Sequence, residues 1–134
     1  ANKDAILPGD SDSESTTPLL QACEYGQVPI IRLLLEVRAN VNLEDNNQQS
    51  PLEIACICGH ELVAGLLLAV GANVDGNAPG RIDSPLHGAV RTDHLHTVLL
   101  LLEAADKDQA NDIGETPLHH ACALNHGSAA RLLL

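Results

Sequence analysis

Residues 50–75, SPLEIACICGHELVAGLLLAVGANVD, read as one complete structural unit from which the rest of the chain can be understood. Ser50 offers a side-chain oxygen to the free N–H groups of a helix start, and Pro51 suits the next position, where no N–H is needed. Gly59 can take positive φ and turn the chain back, so this first helix is short. A second helix begins near Glu61. Its Leu62, Val63, Leu66, Leu67 and Val70 recur at spacings of three and four, which makes an apolar face that a lone helix cannot bury. Gly71 ends it, and Ala72-Asn73-Val74-Asp75 leads into an extended arm. The unit is helix, turn, helix, arm.

Copies stand on both sides in register. Thr17-Pro18-Leu19, Ser50-Pro51-Leu52, Ser84-Pro85-Leu86 and Thr116-Pro117-Leu118 are spaced by 33, 34 and 32 residues, a period that marks stacked repeats. The turn position holds Gly26, Gly59, Asp93 and Asn125, residue types that tolerate positive φ. Leucine triplets at 33–35, 66–68, 100–102 and 132–134 keep the same register, as do Ala22, Ala55, Ala89 and Ala121, where small side chains let helices approach.

In these features the chain resembles the ankyrin-repeat family. The residues that carry the resemblance are TPLHHACALNHGSAARLLL from Thr116, SPLHGAV from Ser84, and the arms RANVN from Arg38 and GANVD from Gly71. The resemblance implies an all-α repeat, an ankyrin solenoid of stacked helix-turn-helix units with protruding β-hairpin loops. On that reading residues 1–16 are the end of a preceding repeat plus a lengthened acidic loop. Residues 17–49, 50–83 and 84–115 are repeats, and 116–134 a partial repeat, all in one continuous domain. The family is defined by its scaffold, so the resemblance says more about fold than about function.

Composition agrees. In 134 residues the hydrophobic share is 45%, yet Tyr25 is the only aromatic and Phe, Trp and Met are absent, so the core must be aliphatic. No apolar run approaches the ~18 residues needed to span a bilayer. No basic-then-apolar leader opens the chain. The expectation is an intracellular protein, cytoplasmic or nuclear, without membrane insertion. Seven Lys and Arg against eighteen Asp and Glu give a net charge of −11, which excludes a broad basic face for nucleic acid. Asp93, Glu103, Asp106, Asp108, Asp112 and Glu115 crowd residues 84–115. Such loops would steer a basic protein or peptide towards them. The same charges also serve simply to keep a solenoid soluble.

The departures from the repeat are informative. Ala1-Asn2-Lys3-Asp4 matches the arm Ala72-Asn73-Val74-Asp75, so the chain reads as a piece of a longer array. The polar stretch LPGDSDSEST after it reads as a lengthened loop, a plain linker unless its Ser and Thr are phosphorylated. Where the family carries His, to tie the helix start to neighbouring repeats, Leu20 and Glu53 stand instead, while His87 and His119 keep the motif. Gln48 replaces the Gly common at the hairpin turn, and Asn46 and Asn47 are expected to take the strained geometry. The loop after Asp75 is one residue longer than its neighbours. The third unit drops a residue before Ala105, which shortens its second helix. The fourth stops inside its second helix without a polar cap, as a truncated, disordered or partner-covered end would.

Cys23, Cys56 and Cys122 share one repeat position and are expected in the core, with disulfides disfavoured in an intracellular array. Cys58 falls beside the turn and is the one candidate for a reactive thiol. His94 and His96, two apart, do not share a helix face, and His60, His94 and His126 recur at one position where the family frequently carries a His that helps cap the inter-helix loop. No metal site or cofactor is expected. Nor does any GxSxG, HExxH, phosphate-loop or Rossmann pattern appear. The chain is therefore read as no enzyme, with no small-molecule substrate.

What remains is recognition. By the family's register, partner contacts fall on the tips at Asn46, Asn47, Gln49, Arg81, Asp83, Asp112, Ile113 and Glu115. They fall also on the first-helix ends at Glu24, Tyr25, Ile57, Cys58, Arg91, Thr92, Ala123 and Leu124. Tyr25, Ile57, Cys58 and Leu124 would form an apolar strip, and Tyr25 and Arg91 are the expected anchors. The plainer reading of Tyr25 is packing against the long first loop. The expected function is a protein-binding module with a concave acidic surface. The alternative is a regulatory or structural segment docking in cis within a larger enzyme, channel or adaptor protein.

Overall fold

The structure is a computed structural model that describes residues 3–4, 16–75 and 83–134. The lengthened first loop, the long loop after Asp75 and Arg81 lie outside the described residues. Eight helices occur among those described: α1 (Pro18–Glu24), α2 (Val28–Glu36), α3 (Pro51–Ile57), α4 (Glu61–Ala69), α5 (Pro85–Arg91), α6 (Leu95–Leu102), α7 (Pro117–Ala123) and α8 (Gly127–Leu133). They pair as consecutive antiparallel hairpins. The pairs stack in chain order, with α1, α3, α5 and α7 in one layer and α2, α4, α6 and α8 in the other. The all-α repeat solenoid is the observed architecture.

The start of each first helix is built as its sequence requires. Thr17 Oγ1 accepts the Leu20 N–H at 3.2 Å, Ser50 Oγ the Glu53 N–H at 3.2 Å and Ser84 Oγ the His87 N–H at 3.5 Å, and a proline follows each. Each such cap contributes about 1 kcal/mol. The core between the layers is aliphatic: Leu19, Leu52, Leu86, Ile31, Val63, Leu67, Val98 and Leu101 are buried among Ala22, Ala55, Ala89 and Ala121. Burying one such leucine stabilises by about 1.5–3 kcal/mol, which is why helices of seven to nine residues, too short to persist alone, hold in the stack.

The turn position adopts left-handed backbone in all four units, with φ of 65° at Gly26, 74° at Gly59, 58° at Asp93 and 60° at Asn125. The second helices α2 and α4 end through left-handed Arg38 and Gly71. The residue lost before Ala105 leaves α6 with eight residues where α2 and α4 have nine, and it ends at right-handed Glu103.

The arms are joined by a ladder. Asp4 Oδ1 accepts the Asn40 N–H at 3.0 Å, Asn42 Oδ1 the Asn73 N–H at 2.9 Å and Asp75 Oδ1 the Asp106 N–H at 3.3 Å. Each rung spans two successive units in one register, and Asp4 sits in it as the arm alignment requires. Each described tip is closed in the same way. Asp45 N–H donates to the Gln49 carbonyl at 3.1 Å and Asn111 N–H to the Glu115 carbonyl at 2.8 Å. The Asp45 and Asn111 side chains accept N–H groups from within the tip. No strand is built on these turns among the described residues.

Three sequence expectations are corrected. The strained tip residue is not Asn46 or Asn47 but Gln48, at φ 60°, in the place where Gly114 stands at φ 84°. The Asp45 clamp fixes the tip register, and that register dictates which residue turns left-handed. Cys122 is exposed, whereas Cys23 and Cys56 are buried. The latter two are covered by the following layer, and α7 has no such layer over it among the described residues. His60 and His126 do not cap their own loops. Their rings reach back to the preceding unit, His60 Nε2 to the Glu24 carbonyl at 3.0 Å and His126 Nδ1 to the Val90 carbonyl at 2.9 Å. His94 instead meets Thr92 Oγ1 at 2.8 Å and lies over Gly59.

Candidate functional site

The ends of the first-layer helices bring Glu24 and Tyr25, Ile57 and Cys58, Arg91 and Thr92, and Ala123 and Leu124 into one row across the stack. Tyr25 is 63% exposed and Leu124 47%, and Glu24, Cys58, Arg91 and Ala123 are exposed as well. Thr92 is half-buried, its hydroxyl donating to the Gly88 carbonyl at 2.9 Å. Ile57 is also half-buried and lies against Gly88, where an added Cβ would stand 2.9 Å from Ile57 Cγ1. The apolar strip is thus interrupted at Ile57, which has sunk into the space that Gly88 leaves.

Of the tip residues, Asn46, Asn47, Asp112 and Ile113 are exposed, Ile113 at 72%, while Gln49 and Glu115 are half-buried. Asp83 is tied inward. Its Oδ2 lies 2.7 Å from Arg91 Nη1, its Oδ1 accepts from Asn111 Nδ2 at 3.0 Å, and His120 Nε2 stands 3.7 Å away. His120 Nε2 is also 3.2 Å from Glu115 Oε2. Arg91 therefore reaches the surface already paired, at the α5 C-terminus where its charge also favours the helix dipole.

Beneath this group His87 performs the tie that the family motif implies. Its Nδ1 accepts the Ser84 N–H at 3.2 Å, and its Nε2 donates to the Glu115 carbonyl at 2.9 Å. The ring is buried, and burial pulls its pKa below the ordinary value despite the Glu115 carbonyl and the Asp83 carboxylate that favour the charged form. In the first unit Leu20 fills this place by packing, and in the second Glu53 fills it at 6% exposure.

A cleft of about 220 Å³ opens between the tip at 45–49 and helices α3 and α5. It gathers Asn47, Gln49, Ile57, Asp83 and Arg91, five of the residues singled out by register, and adds Gln48, Glu53, Ser84 and Gly88. The signal for Glu53 was visible in the sequence as the residue standing for His. That for Gly88 was a glycine inside a helix. Cys58 departs from its expectation: partial burial, then the Glu24 carboxylate, push its thiol up, away from the thiolate a reactive cysteine needs. Burial likewise pushes Cys23 up to about 12. Among the described residues no group of three His, Cys, Asp or Glu could hold a metal ion, and no helix is long and apolar enough to cross a membrane.

The family model for ankyrin repeats (3 copies) matches residues 3–78 and 76–134. A protein of Oryza sativa subsp. japonica described as "Probable E3 ubiquitin-protein ligase XBOS33" is 45% identical over 56 residues, 41% of this chain. The match spans 11% of that protein's length.

Proposed function

The chain belongs to the ankyrin-repeat family, and from that premise we propose that it is a non-catalytic protein-protein interaction module. Its first-layer row and tips would take a protein or peptide segment on a concave, acidic face. The observation that carries this reading is the exposure of Tyr25 and Leu124 in one row with Arg91, on helices whose buried sides already satisfy the core. Large apolar groups outside the core, beside a paired arginine, are the composition of an interface rather than of a solvated helix end. Net charge of −11 favours a basic segment.

Tyr25→Ala and Arg91→Ala should each weaken capture of a bound protein by about 1–2 kcal/mol while the unfolding midpoint stays close to the parent's. Undiminished capture in both variants would count against this face. A second reading is that the array docks in cis within a larger enzyme, channel or adaptor protein. It draws on the rice relative, in which the similar segment is a small part of a long chain. A longer parent sequence containing a second domain that binds this face would favour it.

A further inference from the structure

We propose that the outer face of α4 and α6 is where the chain pairs with a second copy of itself about a two-fold axis. This surface is independent of the first-layer row, which lies on the other layer of helices. It is made by residues that break the repeat at its solvent side. The position of Arg32 and Arg131 carries Gly65 and Leu99 in the two units between them, and that of Glu36 and Glu103 carries Ala69. Leu62 stands where the other units have Pro29, His96 and Ser128. Leu62 is 73% exposed, Val70 50% and Leu99 48%, although Val63, Ala64 and Leu67 already supply the buried side of α4. A hollow of about 400 Å³ opens here, lined by Glu61, Leu62, Gly65, Leu66 and Leu100. Among the described residues a Cβ on Gly65 would meet only Leu100 Cδ2, at 3.9 Å. Glycine weakens a helix relative to alanine, so the single chain draws no benefit from it at this place.

Charge selects the occupant. The chain carries −11, and Asp45, Asp75, Asp106, Asp108, Asp112 and Glu115 stand on the arms and tips, where two copies repel. The second-layer helices carry Arg32 and Arg131 against Glu36 and Glu61, a net charge of zero, and α6 has no Asp, Glu, Lys or Arg. A strongly charged partner gains nothing on this face, whereas a second copy is turned away from the acidic surfaces and not from this one. Shape selects the same occupant. A two-fold contact needs a knob and its hole on one surface, and Leu62 lies three residues, less than one helical turn, from Gly65. In an antiparallel pair of α4 helices each Leu62 reaches the other's hollow, and the absent Gly65 side chains let the axes come close. The patch is on the order of 400 Å², against about 800 Å² per partner in a standard interface, so the pair is weak and reversible.

The test is sedimentation velocity of the 134-residue chain from about 10 μM to about 1 mM. The sedimentation coefficient should rise with concentration and fit a monomer–dimer equilibrium with a Kd of about 0.1 mM. Sodium chloride at about 0.5 M, which screens the net charge, should leave the pairing unchanged or tighten it. Gly65→Arg, which gives this position the residue type of the first and fourth units, should keep at least the parent's urea midpoint and stay monomeric at about 1 mM. Leu62→Ser, the residue type of the fourth unit, should raise the Kd at least about tenfold. A parent that stays monomeric to about 1 mM would overturn the proposal, also where an apolar peptide shifts the Gly65 amide and so claims the face for another chain. A dimer that folded Gly65→Arg retains, or one that salt dissolves, would overturn it as well, because the contact would then lie elsewhere.

Discussion

A Cβ on Gly59 would meet the His94 ring at 2.6 Å while standing on backbone at φ 74°, so two independent constraints fall on one residue. Gly71 carries only the backbone constraint: its φ is 90°, and among the described residues nothing lies within 4 Å of the position of a Cβ. Left-handed backbone costs an L-residue about 1–2 kcal/mol, and that should be the whole effect of Gly71→Ala. In Gly59→Ala the His94 ring must also swing aside. It would give up its 2.8 Å contact with Thr92, worth about another 1 kcal/mol. Urea denaturation of the two variants should show the larger loss at Gly59, and equal losses would mean that the ring is not held where it stands. The sequence shows half of this. A glycine at the turn announces positive φ, but nothing local announces that a histidine of the next unit lies across it. Gln48 and Arg38 were hidden for the converse reason: their left-handed geometry is imposed by the Asp45 clamp and the helix end, with no glycine to mark it.

The start of α5 shows how an element is fastened to its neighbour. The groups facing His87 are Ser84 on its own helix cap, the Glu115 carbonyl and His120 from the next unit, and Asp83 and Arg91 beside them. Burial lowers the pKa of His87 from its ordinary 6.5, so folding favours the neutral ring. The unfolded chain then binds the proton more readily than the folded one. This contribution to stability is complete above pH 6.5 and is lost progressively as the pH falls below it towards the folded value. The expected outcome is a fall in the unfolding midpoint on acidification through that window, and a shallower fall in His87→Ala. The variant itself should lose about 2–4 kcal/mol at neutral pH, because it opens a cavity and strands the Glu115 carbonyl. A parent and variant with the same pH dependence would show that His87 is not the titrating group. At this scale the sequence was read well where the device is local, as in the Ser-Pro helix starts. It was read poorly where the partner lies one unit away, as with His60 and His126, whose bonds run back to the unit before.

Across the molecule, four imperfect copies of one unit made the architecture legible, since an error in any copy is outvoted by the other three at the same register. The cleft had no such support. Its lining includes Glu53 and Gly88, each a residue type that one unit alone carries at its position, and only stacking places them side by side. The same stacking fixes how the chain should come apart. Helix α3 is covered by α1 and α5, and α5 by α3 and α7, whereas among the described helices α8 rests mainly on α7 and α6. In a linear array each unit's stability is its own plus that of its interfaces, so a helix with neighbours on both sides opens only with them. Hydrogen exchange of the whole chain should therefore be slowest at the buried Ala55, Cys56, Ala89 and Val90. Residues 129–133 should exchange at least about tenfold faster, a difference of about 1.4 kcal/mol in opening free energy. A single uniform protection across α3, α5 and α8 would mean that the chain opens as one indivisible body. The chain would then not be a linear array in which each unit carries its own stability and that of its interfaces.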